Sequence, residues 1–190
     1  LAASLAANDM RVLLIDSDPQ GNSTTGLGVA KADDKPTTYD VLMHRATVPE
    51  VSVRTECEGL HLVPADKNLV AANLELVDAP DRESRLRIAI EPQRSSYDFI
   101  NLTIEGILLT MFDDRTNLAR QVADDLREFF QDEIFQTVIP RSIRLAEAPS
   151  YGKPILTYDP RSRGAESYIK LAKEILYNEQ LRRTSAQSAG

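Results

Sequence analysis

One cysteine, two histidines and no tryptophan exclude several kinds of chemistry from this chain. Cys57 has no second cysteine to pair with, so no intrachain disulfide forms, which fits a reducing, cytoplasmic setting. It reads as a partly buried spectator thiol. His44 and His61 are isolated in sequence, which leaves a structural zinc site without a ligand set. No apolar run approaches the roughly 20 residues of a membrane-spanning helix. Residues 1–7 lack the basic segment and separate cleavage site of a secretory leader and read as helix instead. No internal repeat is visible.

What is present is ordinary for one soluble domain: 190 residues, 42% apolar and 27% charged. Residues 1–181 read as a single domain, and the Ser/Ala/Gln-rich stretch 182–190 as a disordered tail. The net charge of −7 is unevenly spread. Residues 1–114 carry −9 and residues 115–190 carry +2, with +3 inside 141–163. A basic stretch of this kind can hold DNA phosphate even in an acidic protein, although a solvated surface gives the same count.

Short apolar runs alternate with helical patterns. Residues 11–15, 60–64, 97–100, 104–111, 135–139 and 155–158 read as strands. Residues 1–7, 38–43, 68–77, 81–90, 117–130 and 164–181 read as helices, and 20–28 as a polar loop. This alternation predicts an α/β fold, a doubly wound, mostly parallel sheet with helices on both faces. One junction breaks the pattern. The apolar runs 97–100 and 104–111 are separated by three residues, whereas parallel neighbours need a crossover of about a dozen or more. Either they form one bent strand or a crossover is missing after Ile100; the lack of any tight-turn residue pair there favours the second.

The most informative string is Leu13-Leu14-Ile15-Asp16-Ser17-Asp18-Pro19. An apolar run ends in two carboxylates two residues apart, and strand alternation predicts that both project the same way. The C-terminal end of a strand is where open parallel sheets bind ligands. Like charges held this close call for a cation or a reaction, unless they simply cap the turn that follows.

The stretch RVLLIDSDPQGNSTTGLG, residues 11–28, resembles the second nucleotide-binding motif of the ParA/Soj family of chromosome- and plasmid-partitioning ATPases, a deviant-Walker P-loop class. LHLVPADKNLVAANLEL (60–76), SYDFI (96–100), IEGILLTMFDDRTNLARQV (104–122) and TVIPRSIRLAEAPSYGKPILTYDPRSRGAESYIKLAKEI (137–175) resemble the same family, in its order. Two of the family's pieces do not occur in the sequence: the phosphate-binding loop of the form KGGVGKTT, and the acidic D-x-P-P motif with the crossover that follows YDFI.

The resemblance implies ATP hydrolysis with ATP and Mg²⁺ as cofactors. Asp16 would be the metal-side carboxylate and Asp18 the catalytic one that orients the attacking water, with Pro140 and Arg141 beside the adenine. Arg115 and Arg144 match non-specific DNA-binding arginines, and Lys153, Arg161 and Arg163 would extend that patch. Arg163 could equally pair with Asp159. The implied partners are double-stranded DNA, a ParB-type protein and a second copy in an ATP-dependent homodimer, with nucleoid association in the cytoplasm and no membrane. The missing loop puts hydrolysis and that dimer in question for this chain. One alternative is a truncated, catalytically inactive paralogue. Another is a MinD-like positioning ATPase, but Glu166, Glu174 and Glu179 on the last helix argue against anionic lipid.

Overall fold

In the computed structural model, residues 1–30, 35–79, 81–100, 107–130 and 134–188 are described. The chain order is α1 (Ala2–Ala6), β1 (Val12–Ile15), α2 (Asn22–Gly26), α3 (Thr38–Leu42), α4 (Val48–Val51), β2 (Val53–Arg54), β3 (Leu60–Val63), α5 (Leu69–Glu75), α6 (Arg85–Ile90), β4 (Phe99–Ile100), α7 (Asn117–Phe130), α8 (Ile143–Glu147), α9 (Ile155–Tyr158) and α10 (Arg163–Ser188). A 3-10 turn, Ala148–Tyr151, joins α8 to the segment before α9.

The sheet has the order β2-β3-β1-β4. β1 is parallel to β3, with Val12 opposite Leu60 and Ile15 opposite Val63, and parallel to β4, with Val12 opposite Phe99. β2 is the antiparallel edge. β1 is apolar throughout because both of its faces are covered. Val12 and Leu14 face one cluster, built with Leu5, Leu60, Phe135, Ile139, Leu171 and Ile175. Leu13 and Ile15 face the other, built with Val41, Val48, Val51, Val63 and Ile90. The alternation along four residues thus divides the core into two halves. α1 and α10 close the first half, while α3, α4 and α6 close the second.

Capping fixes the short helices of the second half. Thr37 accepts from the α3 backbone while the Thr37 N–H donates to the Asp40 carboxylate at 2.9 Å. At α4, the Thr47 N–H and hydroxyl both donate to Glu50 at 2.7 Å. Each reciprocal box satisfies backbone donors that a helix of four or five residues cannot satisfy itself.

The α/β reading holds, with local corrections. The stretch 155–158, expected as a strand, is a helical turn, because Pro154 caps it and Ile155 buries inward beside Ala148 and Ala165. The loop 20–28 contains α2. The strand expected over 104–111 lies partly outside the described residues, as does the junction 101–103. Its described part makes one isolated parallel bridge, Ile107 to Ile134, and a second joins Phe112, just beyond it, to Pro140, rather than a regular ladder. The last helix continues past Leu181 to Ser188, into the stretch expected to be an irregular tail.

Leu171 is fully buried where α10 meets the sheet, whereas Leu118 on α7 is 72% exposed. Leu171→Ala is expected to lower stability by about 3 kcal/mol through cavity formation, and Leu118→Ala by no more than about 0.5 kcal/mol. Urea denaturation of both variants checks the contrast.

Candidate functional site

β1 and β3 are parallel and in register, so the segments leaving Ile15 and Val63 emerge side by side. The Asp16 N–H donates to the Val63 carbonyl at 3.0 Å, carrying the pairing one residue past the strand. From there the two carboxylates part. Asp16 is 3% exposed, while Asp18 is exposed. The strand ends at Ile15, so the alternation that would have aimed both carboxylates one way ends with it.

Asp16 is held on three sides. Its Oδ2 accepts from the Thr24 N–H at 2.8 Å and the Thr24 hydroxyl at 2.6 Å, and its Oδ1 accepts from the Asp18 N–H at 3.1 Å. The same Thr24 hydroxyl accepts from the Ala65 N–H at 3.0 Å. The buried Thr38 hydroxyl donates to the Asp16 carbonyl at 2.8 Å. One buried aspartate therefore joins the ends of β1 and β3 and α2 through its carboxylate and Thr24, and the first residue of α3 through its backbone carbonyl. Asp18 accepts from the Gln20 N–H at 2.9 Å and the Asn22 side-chain amide at 3.0 Å, leaving its carboxylate at the surface. A cavity of about 350 Å³ opens beside Thr24, lined among others by Lys35, Thr37, Ala65 and Asp66.

Thr24 and Thr38 were not legible as site residues. Polar types normally stay exposed, and only the tertiary placement of Asp16 gives them a buried partner.

The basic residues form two groups. Arg115 makes a two-point ion pair with Asp113, at 2.8 and 2.7 Å. These bonds hold the Asp113 carboxyl down at about 2, with the nearby Arg141 adding to the effect. Arg141 sits exposed after Pro140, its N–H donating to the Phe112 carbonyl at 3.0 Å. Arg144 on α8 pairs with Glu147 at 3.1 Å and Asp159 at 3.6 Å. Asp159 is thus engaged by Arg144, whereas the sequence offered Arg163. Lys153, Arg161 and Arg163 are exposed and make no ion pair among the described residues. No contact recorded among the described residues joins Asp16 or Asp18 to Pro140 or Arg141.

The residues present were weighed against Mg-ATP. Phosphates are commonly held by converging backbone N–H groups and a lysine, and no G-x-x-x-x-G-K-S/T string occurs in the sequence. Both Asp16 oxygens already accept hydrogen bonds inside the fold. Among the described residues no group of three or more His, Cys, Asp or Glu is placed to hold a metal. These residues offer an exposed carboxylate, Asp18, and a strand-end arginine, Arg141, to a bound nucleotide, and a group that would cradle its phosphates is not among them.

Two outcomes follow from this geometry. Thr24→Val removes the hydroxyl that serves both Asp16 and Ala65, and should cost about 2–4 kcal/mol. Thr24→Ser keeps both bonds and should cost less than about 1.5 kcal/mol, as denaturant unfolding will show. The Asp113–Arg115 pair stabilises the fold fully above the ordinary carboxyl value of 3.8, and that contribution fades as pH falls toward 2. In Arg115→Ala, an NMR titration should find Asp113 displaced upward toward its ordinary value.

Comparison with known proteins places this geometry among relatives. The family model described as an AAA domain matches residues 1–111. The chain is 40% identical to the sporulation initiation inhibitor protein Soj of Bacillus subtilis, over 94% of this chain and 91% of that one. It is 36% identical to the chromosome partitioning protein ParA of Caulobacter vibrioides, over 98% and 90%. The alignment with Soj spans 230 positions, and 94% of 190 residues is about 179, so about 50 of its positions have no residue of this chain opposite them. A solved structure, cobyrinic acid a,c-diamide synthase from Mycobacterium smegmatis with bound ADP and magnesium, superposes with a TM-score of 0.75 at 22% identity, over 94% of this chain and 86% of that one. At that identity the likeness concerns the fold.

Proposed function

The chain belongs to the ParA/Soj family of partitioning ATPases, and from that premise we propose that it binds duplex DNA non-specifically, under the control of Mg-ATP, to help segregate a chromosome or plasmid. The observation that carries this reading is the D-x-D string at the mouth of β1, with Asp16 built into the fold and Asp18 left at the surface. In this reading Asp18 would orient the attacking water, Asp16 would stand on the metal side, and Pro140 and Arg141 would lie beside the base. DNA phosphate is taken by Arg144, Lys153 and Arg163, with Arg115 and Arg161 adding to the field. Arginine suits this task because its planar fork donates two hydrogen bonds to one phosphate. The Arg144–Glu147 pair is exposed on both sides, so it costs little to exchange for phosphate. A ParB-type protein and a second copy of the chain are the proposed partners, and the nucleoid the proposed location.

A second reading rests on the Asp16 hydrogen bonds, which already occupy both carboxylate oxygens: a family member that holds DNA without nucleotide control.

Anisotropy with a mixed-sequence duplex, with and without Mg-ATP, separates the two. The first reading expects binding that depends on Mg-ATP. It also expects Arg144→Ala to weaken binding evenly across sequences and to reduce the salt slope by about one. Nucleotide-independent binding would favour the second reading. No effect of Arg144→Ala would remove the DNA assignment of that residue.

A further inference from the structure

α2 touches two very different parts of the chain. On one side Thr24 is bonded to Asp16. On the other, the end of α2 lies against the 3-10 turn that follows α8. Gly28 and Gly152 meet there backbone to backbone, both left-handed, with φ of +73° and +62°. A Cβ on Gly152 would stand 3.0 Å from Gly28 Cα and 3.5 Å from the Thr25 carbonyl oxygen, and one on Gly28 would stand 3.0 Å from the Gly152 carbonyl oxygen. Gly26 approaches Pro149 in the same seam.

Each glycine is doubly constrained: its backbone conformation disfavours a side chain, and so does the space beside it. The turn is tied to its own segment through the Gly152 N–H to Pro149 carbonyl bond at 3.0 Å and the Lys153 N–H to Ala148 carbonyl bond at 3.3 Å. The path from Asp16 through Thr24 and Thr25 to Gly152 and Lys153 therefore consists of hydrogen bonds and close-packed backbone. No long flexible side chain interrupts it.

We propose that Gly28 and Gly152 are positioning residues that couple the carboxylate loop to the basic segment 141–163, so that a change at Asp16 is felt at Lys153 and Arg144. This rests on the functional reading above in naming what is coupled. The mechanical link itself does not need DNA or nucleotide to be tested. By reciprocity, loosening either end should loosen the other.

Amide hydrogen exchange on the full chain gives the test. Asp16→Asn places an NH₂ group where one of its carboxylate oxygens accepts. It should speed exchange at Thr25 and Gly28, and also at Gly152 and Lys153, by about fivefold or more. Gly152→Ala should do the same in reverse, reaching Thr25 and Gly28. Gly59→Ala serves as the matched control. It too has a left-handed backbone, with φ of +79°, and its Cβ would stand 3.0 Å from the Met10 carbonyl oxygen, in a seam with Met10 and Ala6. It should leave the four reporter amides near their normal rates.

If Asp16→Asn affects Thr25 and Gly28 but not Gly152 and Lys153, the coupling is overturned. It is equally overturned if Gly59→Ala reproduces the whole pattern, since that is general loosening. Duplex binding measured on the same wild-type chain keeps the two ideas apart. Coupled exchange without DNA binding sustains the link and removes the DNA reading, and uncoupled exchange with DNA binding does the opposite.

Discussion

A buried carboxylate is the constraint around which the C-terminal end of this sheet's parallel strands is arranged. Burying Asp16 without partners would be strongly unfavourable. Its three donors, from Thr24 and Asp18, are what make that position tolerable. The consequence runs outward. Thr24 must sit beside the β1 exit, so α2 starts where it does. Its hydroxyl must also receive the Ala65 N–H, so the β3 exit is fixed to the same point. Hydrogen bonds to a charged group are among the stronger ones in proteins, about 1.5–3 kcal/mol each, and these lie away from competing water.

The sheet and most of its helices were legible because they depend on local patterns. α7 was read with its observed bounds from its amphipathic period, and β1 and β3 from apolar runs with turn signals on either side. By residue type either Thr37 or Thr38 could stand near the start of α3, and the structure gives the cap to Thr37. The misreadings came where tertiary packing outweighs local preference. The string Ile155–Tyr158 has strand-like residues, yet Pro154 starts a helical turn there and Ile155 finds its partners in α10. The divergence of Asp16 and Asp18 depends on where the strand stops, a boundary that composition does not mark.

Site residues divide along the same line. The D-x-D pair was singled out by residue type and spacing, and the arginines by the family resemblance. Their partners could not, because a carboxylate that neutralises an arginine can come from anywhere nearby. Asp113 is two residues from Arg115, but Arg144 draws Asp159 from across the turn that holds Tyr151 and Tyr158, whose rings stack at 5.0 Å. The +3 of residues 141–163 is accordingly less than an unpaired field. Among the described residues, Lys153, Arg161 and Arg163 make no ion pair, while Arg144 is held between Glu147 and Asp159.

The packing of α10 against α1 and β1 bears on how the chain acquires its fold. Leu171, Ala172 and Ile175 complete the same cluster as Ala3, Leu5 and Val12. One face of β1 is thus covered by α1 together with a helix that follows it far later in the chain. During synthesis at about 5–20 residues per second, β1 waits for β3, then β4, and finally for α10 before its apolar face is shielded. Contacts so distant in sequence make for slow folding. Until α10 emerges, that face of β1 is only partly covered, and transiently exposed apolar strands of this kind are prone to aggregate.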